Sequence, residues 1–340
     1  MGKQKHTPTP YPSPQVGGGI IGLSSNLLGY QAVFSEAPIY EDDLANKAND
    51  LSFAPELSNS PSHLWGGVRG GGNSQMQRLA YRNHAFANGN RMLAEEVAVA
   101  VSYNGSTHAV LMATPQDLHD FAVGFSLTER IIDRVEVIEN IEIIETALGL
   151  DLQVRLSGNV AEKLAKRRRS MAGPVGCGLC GVESLEAAMR QVPQVQAHTH
   201  FSPSDIADAA AQLAINQPLN AETRAVHAAG FYVPGQGLIA AREDVGRHNA
   251  LDKLIGALAA QGIDAATGAV VLTSRVSVEM VQKTAIAGAG MIIAVSAPTA
   301  LAVGTAGEAG ITLAAIVRGS EFEVFTHPKR VATGASAHVA

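Results

Sequence analysis

The two cysteines of the 340-residue chain stand in one loop, Gly176-Cys177-Gly178-Leu179-Cys180-Gly181. Glycines on both sides free the backbone and expose the thiols. An expected helix starting at 182–184 points its positive end at the pair, and Arg167, Arg168 and Arg169 lie just upstream, so the thiolate form is favoured. A thiolate attacks sulfur or binds metal. An incidental buried pair has little use for flanking glycines and a basic approach. Zinc would need two further ligands from His, Asp or Glu. A zinc deaminase would need His-x-Glu before its cysteines, and none of the 11 histidines has glutamate two positions on. Sulfur chemistry is the favoured reading, either dithiol exchange or carriage of a persulfide, because a cytosolic Cys-x-x-Cys is more often reactive than structural. A thioredoxin-like fold fits less well, since the pair sits in a glycine loop deep in the chain.

Three more segments carry ionisable groups. Arg242-Glu243-Asp244-Val245-Gly246-Arg247-His248-Asn249-Ala250-Leu251-Asp252-Lys253 places seven ionisable side chains around one glycine before an apolar helix. A capping turn with surface ion pairs explains part of this. Glu243 and Asp244 suit the helix dipole, but Arg247 and His248 at a helix start do not, which raises an anion site or a catalytic relay. Thr273-Ser274-Arg275-Val276-Ser277-Val278-Glu279 sits where a strand passes into a helix, and ligands bind α/β sheets at the carboxyl ends of strands. Exposed hydroxyls and Arg275 there predict phosphate contacts. His227 alone reads as a satisfied core histidine. The run Lys163, Lys166, Arg167, Arg168, Arg169 is a solvated helix face that, beside the thiols, can also attract a phosphate-rich ligand or an acidic partner.

The elements that must position these groups follow from patterning. Hydrophobic residues are 46% of the chain, charged residues 16% and aromatics 5%, with a net charge of −6. An aliphatic core is thereby provided for, while a basic stacking surface for nucleic acid is not. Val97, Val99 and Val101 alternate into a strand, Asn104-Gly105 makes a type I′ turn, and the chain returns over 107–113. Thr114 reads as an N-cap with Pro115 at the first helical position. Strands are expected at 135–144 and 152–156, helices at 161–169 and 184–191, and a helix capped by Ser202-Pro203 runs to about Asn216. A second hairpin spans 226–242. Helix then alternates with strand from Arg247 to Val317, which implies a largely parallel sheet. The uncharged stretch from Thr284 to Gly307 is long enough to span a bilayer, yet Gly288, Gly290, Pro298 and Gly304 divide it into helix end, strand and helix.

Residues 1–80 hold 7 of the 15 prolines and 11 of the 34 glycines. They read as a disordered leader, followed by one globular domain over 81–328 and a flexible tail over 329–340. No secretory signal is visible near Lys3 and Lys5, so a cytoplasmic location without membrane partners is expected.

Taken in order, Met112-Ala113-Thr114-Pro115-Gln116-Asp117-Leu118, the Gly176–Gly181 loop, Arg242–Asp252, Ser274–Lys283 and Ala294–Val303 resemble the formate dehydrogenase accessory sulfurtransferase family, FdhD. The likeness runs over residues 93–328. It implies an α/β fold of cytidine-deaminase-like type, a mixed sheet with helices on both faces, without deaminase zinc chemistry and with no permanently bound metal. It also implies a homodimer that takes sulfur from a cysteine desulfurase and passes it to the molybdenum bis(molybdopterin guanine dinucleotide) cofactor, the bound acceptor, ahead of formate dehydrogenase. Carried over, Cys177 bears the persulfide and Cys180 is its partner thiol. The cofactor-binding segment falls on Ile316-Val317-Arg318-Gly319-Ser320-Glu321, with Arg247, Ser274 and Arg275 as further contacts. Two positions depart from the family pattern: Arg224 stands for a glycine, and Ile316 for an aromatic. A dithiol-disulfide oxidoreductase, and a cofactor chaperone with dispensable cysteines, are the alternative functions.

Overall fold

The computed structural model describes residues 72–158 and 191–332. It begins with a hairpin, β1 (Asn73–Arg82) and β2 (Ala85–Ala94), that turns at Asn83-His84, both at positive φ. The hairpin thus begins inside the segment 1–80 expected to be a disordered leader. Its composition concealed the hairpin because the turn has no glycine and the strands bury almost nothing. The rest of the leader, and the expected helices at 161–169 and 184–191, lie outside the described residues.

The valine alternation forms the centre of a four-stranded sheet. β3 (Val97–Tyr103) pairs antiparallel with β4 (Ser106–Ala113) through Asn104 and Gly105 at φ 50° and 79°. Helix α1 (Leu118–Thr128) crosses behind it, and β5 (Ile138–Thr146) with β6 (Gly149–Leu156) completes the order β4-β3-β6-β5. Val99, Val101, Leu152 and Phe121 are fully buried between sheet and helix. Thr114 does not cap α1 as expected. The helix starts three residues later, after Asp117, and Thr114 is held by tertiary bonds described below.

The second half builds a six-stranded sheet. Ser202 and Asp205 form a capping box for α2 (Pro203–Ile215), and a short helix α3 (Pro218–Thr223) follows. Then come β7 (His227–Val233), β8 (Gly237–Asp244), α4 (Arg247–Ala260), β9 (Ala269–Leu272), α5 (Val278–Ala287), β10 (Met291–Ala294), α6 (Ala300–Ala309), β11 (Thr312–Arg318) and β12 (Glu321–Thr326). The order is β12-β11-β10-β9-β7-β8. Only β9, β10 and β11 run parallel; β7, β8 and β12 are antiparallel to their neighbours. The sheet is thus mixed, as the resemblance implied, and less parallel than alternation alone suggested, because tight hairpins add the outer strands. Helices α4, α5 and α6 cover one face, α2 the other.

The uncharged stretch 284–307 resolves into the end of α5, β10 and most of α6, and among the described residues no helix is long and apolar enough to cross a membrane. The start of the expected tail is ordered: Val331 bridges Phe201, and Arg330 donates to Ala197 O and Gly310 O at 3.2 and 2.7 Å.

The two sheets meet through α1 and α4, which approach so closely that glycine is required on each. A Cβ on Gly124 would lie 1.7 Å from Asp252 O, and one on Gly256 1.8 Å from Asp120 O.

Candidate functional site

Carboxyl ends of parallel strands leave peptide groups that the next turn must satisfy, and here three such turns interlock. Val295 N–H donates to Leu272 O (2.9 Å), Thr299 N–H to Val276 O (3.0 Å), and Arg318 Nη1 to Val295 O. The Ser274-Arg275 turn after β9, the 295–299 turn after β10 and the end of β11 therefore form one edge. His227 starts β7 beside it, since Ala228 N–H donates to Thr273 Oγ1 (2.9 Å) and Thr273 N–H donates back to Ala228 O (3.1 Å). The starts of α4 and α5 are tied at the same end by His248 Nε2 and Glu279 Oε2, 2.7 Å apart.

The expected residues divide on inspection. Arg275 and Arg318 are exposed and Arg247 half-buried, and neither Arg247 nor Arg275 has an ion-pair partner among the described residues. The exposed-hydroxyl reading is corrected: Ser274 is buried with its hydroxyl donating to Arg275 O (3.1 Å), and Thr273 is bonded to Ala228. Val317 is core, packed in the cluster beneath α2, so only its backbone can face a ligand. Ile316 lies at φ 59° in a bulge between β11 and β12, where Ala315 and Arg318 pair with Glu323 and Glu321. Gly319 and Ser320 form the exposed turn that follows, with Glu321 at its far side.

His227 is less satisfied than a core histidine should be. It is half-buried, and its ring has no hydrogen-bond partner among the described residues. Burial, then the nearby charges of Arg247 and His248, hold its pKa below the usual value. Glu279 is shifted low as well, chiefly by the hydrogen bond from His248. The stability linked to the Glu279 shift is therefore present above the ordinary carboxylate pKa and fades as acidification passes the depressed value.

Both departures from the family pattern fall on left-handed backbone. Arg224 C-caps α3 at φ 59°, donating its N–H to Asn220 O at 2.9 Å, and Ile316 has the same φ. A side chain with a Cβ pays for αL geometry, and glycine does not. Arg224→Gly is expected to raise stability by about 0.5–1 kcal/mol, the αL relief less the entropy of an added glycine, as a higher midpoint in urea. An unchanged or lower midpoint would show that the αL geometry is not strained.

The ionisable run of Arg242–Lys253 is more deeply used than a surface cap. Asp244 and Lys253 are fully buried and paired at 2.7 Å. Asp244 Oδ2 also accepts Thr114 N–H (3.0 Å), its Oδ1 accepts Gly246 N–H (2.7 Å) and Asn249 Nδ2 (3.0 Å), and Lys253 donates to Thr114 O (2.9 Å). A second buried group joins Asp252, Lys283 and Thr128, with Lys283 Nζ 2.9 Å from Asp252 Oδ1, 2.9 Å from Thr128 Oγ1 and 3.0 Å from Glu129. Burial alone would lower the Lys283 pKa, but Asp252 and Glu129 outweigh it and hold it above the usual value. The blocks around Thr114, Arg242–Asp252 and Ser274–Lys283 thus meet in the interior and lock the two sheets together. Sequence reasoning missed this network, although Asp252-Lys253 amid Leu251, Leu254 and Ile255 was a usable signal.

Between α1, α4 and α5 lies a cleft of about 260 Å³ lined by Arg130, His248, Glu279 and Lys283. Cys177, Cys180 and the basic run lie outside the described residues. On either side of the undescribed residues, Ser157 N–H donates to Val137 O (3.0 Å), and Arg130 Nη2 donates to Gln191 O (2.8 Å). Gln191, where the described residues resume, is thus bonded to Arg130, a residue that lines this cleft. Among the described residues no group of His, Cys, Asp or Glu is placed to hold a metal ion.

The comparisons with known proteins cover the same body. A sulfur carrier protein FdhD of Agrobacterium fabrum is 57% identical over 258 residues, which is 76% of this chain and 95% of that protein. Its namesake in Brucella abortus is 53% identical over 257 residues, 75% of this chain and 96% of that protein. A crystal structure of a candidate formate dehydrogenase accessory protein from Desulfotalea psychrophila superposes with a TM-score of 0.60 at 25% identity, covering 76% of this chain and 99% of that one. With a sequence profile matched over residues 94–332, from the end of the first hairpin through the ordered Val331, the chain belongs to the FdhD/NarQ family.

Proposed function

We propose that this chain is a sulfur carrier in formate dehydrogenase maturation. It takes sulfane sulfur from a cysteine desulfurase onto Cys177 and delivers it to the molybdenum bis(molybdopterin guanine dinucleotide) cofactor as substrate. The Cys177 thiolate attacks the terminal sulfur of the donor persulfide, the donor S–S bond breaks, and the donor cysteine leaves as thiolate, with no net oxidation. Attack of Cys180 on Cys177 Sγ then expels the carried sulfur as hydrosulfide toward the cofactor. That step leaves a Cys177–Cys180 disulfide, which a cellular dithiol reductant returns to thiols.

The observation that carries this reading is the gathering of Arg247, Arg275, Arg318 and His227 at one edge, on a body whose relatives bear the sulfur-carrier name. Arg247 and Arg275, which have no ion-pair partner among the described residues, and backbone amides at strand ends suit a doubly charged pyrophosphate better than a neutral substrate. The residues present fit such a group: the Gly319-Ser320 turn offers peptide N–H groups, and the arginines offer charge.

Guanosine diphosphate serves as a fragment probe of the cofactor. Arg275→Ala is expected to weaken its binding about tenfold, the loss of one charge-assisted hydrogen bond, measured by calorimetry. Unchanged affinity in Arg275→Ala and Arg247→Ala would remove these arginines from the site. Absence of binding by the unaltered protein would count against the edge as the cofactor site.

A further inference from the structure

Where β10 and β11 begin, at the end of the six-stranded sheet away from the arginine edge, the surface holds a cationic hollow. Phe201 N–H donates to Arg330 O (2.9 Å) and Ala332 N–H to Phe201 O (2.8 Å), so residues 197–201 and 327–332 run together. Thr199 turns inward to donate to Ala266 O (2.9 Å), and its neighbours His198 and His200 line the hollow. His327, whose Nε2 donates to Gly307 O (2.9 Å), completes the wall with Lys329 and Arg330. The volume of about 520 Å³ falls within the ~300–1,000 Å³ of small-molecule sites, and no carboxylate lines it.

Arg330 is the informative member. Its guanidinium is half-buried and aimed by three bonds, from Nε to Ala197 O (3.2 Å) and from Nη1 to Gly310 O (2.7 Å) and Thr312 Oγ1 (3.2 Å). All three acceptors are neutral, so none supplies a counter-charge. The two N–H groups of Nη2 have no partner among the described residues. Arg242, half-buried as well, instead rests between Asp117 and Asp120. Burial holds the Arg330 pKa below its usual range, the direction expected of a cation with no carboxylate beside it. A cation drawn partly out of water without an opposite charge is costly, and an anionic ligand relieves that cost.

We propose that this hollow binds a small phosphomonoester, its phosphoryl oxygens on the Nη2 side of Arg330 and beside Lys329. Charge selects the class. Lys329 and Arg330 supply two positive charges, which a phosphomonoester at about −1.5 to −2 near pH 7 matches and a single carboxylate does not. Charge-assisted bonds from guanidinium and ammonium groups to phosphoryl oxygens are the strong ones, and Ala197 and Pro328 give the organic remainder an apolar wall. The site is distinct from the proposed cofactor edge: Arg330 bonds at Gly310 and Thr312, whereas Arg318 closes the seven-residue β11, about 20 Å along the strand.

The test is a titration of the full chain, carrying isotope-labelled histidine, with phenyl phosphate, read by nuclear magnetic resonance with ring signals assigned through His198→Gln and His200→Gln. The rings of His198 and His200 are expected to shift saturably, and acetate at equal concentration should leave both in place. Lys329→Ala should raise the dissociation constant about tenfold and Arg330→Gln about 100-fold, each through lost charge-assisted hydrogen bonds. Because Arg330 also holds Ala197 and Gly310, Lys329→Ala decides the matter where Arg330→Gln fails to fold. No shift at either ring, shifts confined to His227 and His248, an unchanged constant in Lys329→Ala, or an equal response to acetate would overturn the proposal. His227 and His248 report on the arginine edge in the same spectra, so a failure here is distinct from a failure of the cofactor reading.

Discussion

Asp244→Asn is expected to destabilise the folded chain by about 3–5 kcal/mol, the penalty for leaving a buried charge without its partner. Domains of this kind hold only ~5–15 kcal/mol in total, so the variant should be largely unfolded well below the normal midpoint in urea. Asparagine preserves the shape of Asp244 and its bonds to Gly246 and Asn249, yet leaves the Lys253 ammonium in an apolar interior with Thr114 O alone. Lys253→Met should cost a similar amount by stranding the carboxylate. The double variant should recover about 2 kcal/mol or more relative to the sum of the singles, since two neutral groups replace the pair. Singles within 1 kcal/mol of the unaltered protein would mean that water reaches the pair and that the two sheets are locked by other contacts.

This network also explains what the sequence could and could not convey. Hairpins announced themselves: Asn104-Gly105 and the Pro234–Gly237 turn both stand where positive-φ chemistry put them, and Ser202-Pro203 caps its helix with Asp205 as reciprocal partner. Alternation placed the strands and helices from Arg247 onward within a few residues. The Asn83-His84 turn was invisible, because residues other than glycine occupy αL there and the strands on either side bury no face. Thr114 misled for a different reason: it has the chemistry of an N-cap, but its hydroxyl accepts Val245 N–H (3.1 Å) from another sheet. Local pattern cannot report a partner more than a hundred residues away. The same limit applied to Asp244 and Asp252, in a run that read in part as a capping turn with surface ion pairs until their distant partners Thr114, Thr128 and Lys283 were placed. At the site edge, strand-end logic pointed to Ser274 and Arg275 and the resemblance to Arg318, but neither could distinguish the buried Ser274 and Val317 from the exposed Arg275 and Arg318.

The second large effect concerns the thiols. Cys177→Ala is expected to reduce formate dehydrogenase maturation by at least about 100-fold, the scale on which loss of a covalent nucleophile is felt, because Cys180, the other cysteine of the chain, is then left without the carrier thiol that the proposed loading and release both require. Cys180→Ala should retain loading of Cys177 while slowing release, since loading needs one thiolate and the proposed release needs two. A dithiol oxidoreductase would instead lose activity equally in both variants and reduce protein disulfides without gaining sulfur. A cofactor chaperone would support maturation in both.

Intact and peptide mass spectrometry after incubation with a cysteine desulfurase and cysteine decides whether Cys177 carries the sulfur. One added sulfur atom is expected on Cys177, removed by dithiol treatment, absent in Cys177→Ala and present in Cys180→Ala. An unmodified Cys177, or sulfur gain that survives Cys177→Ala, would contradict that role.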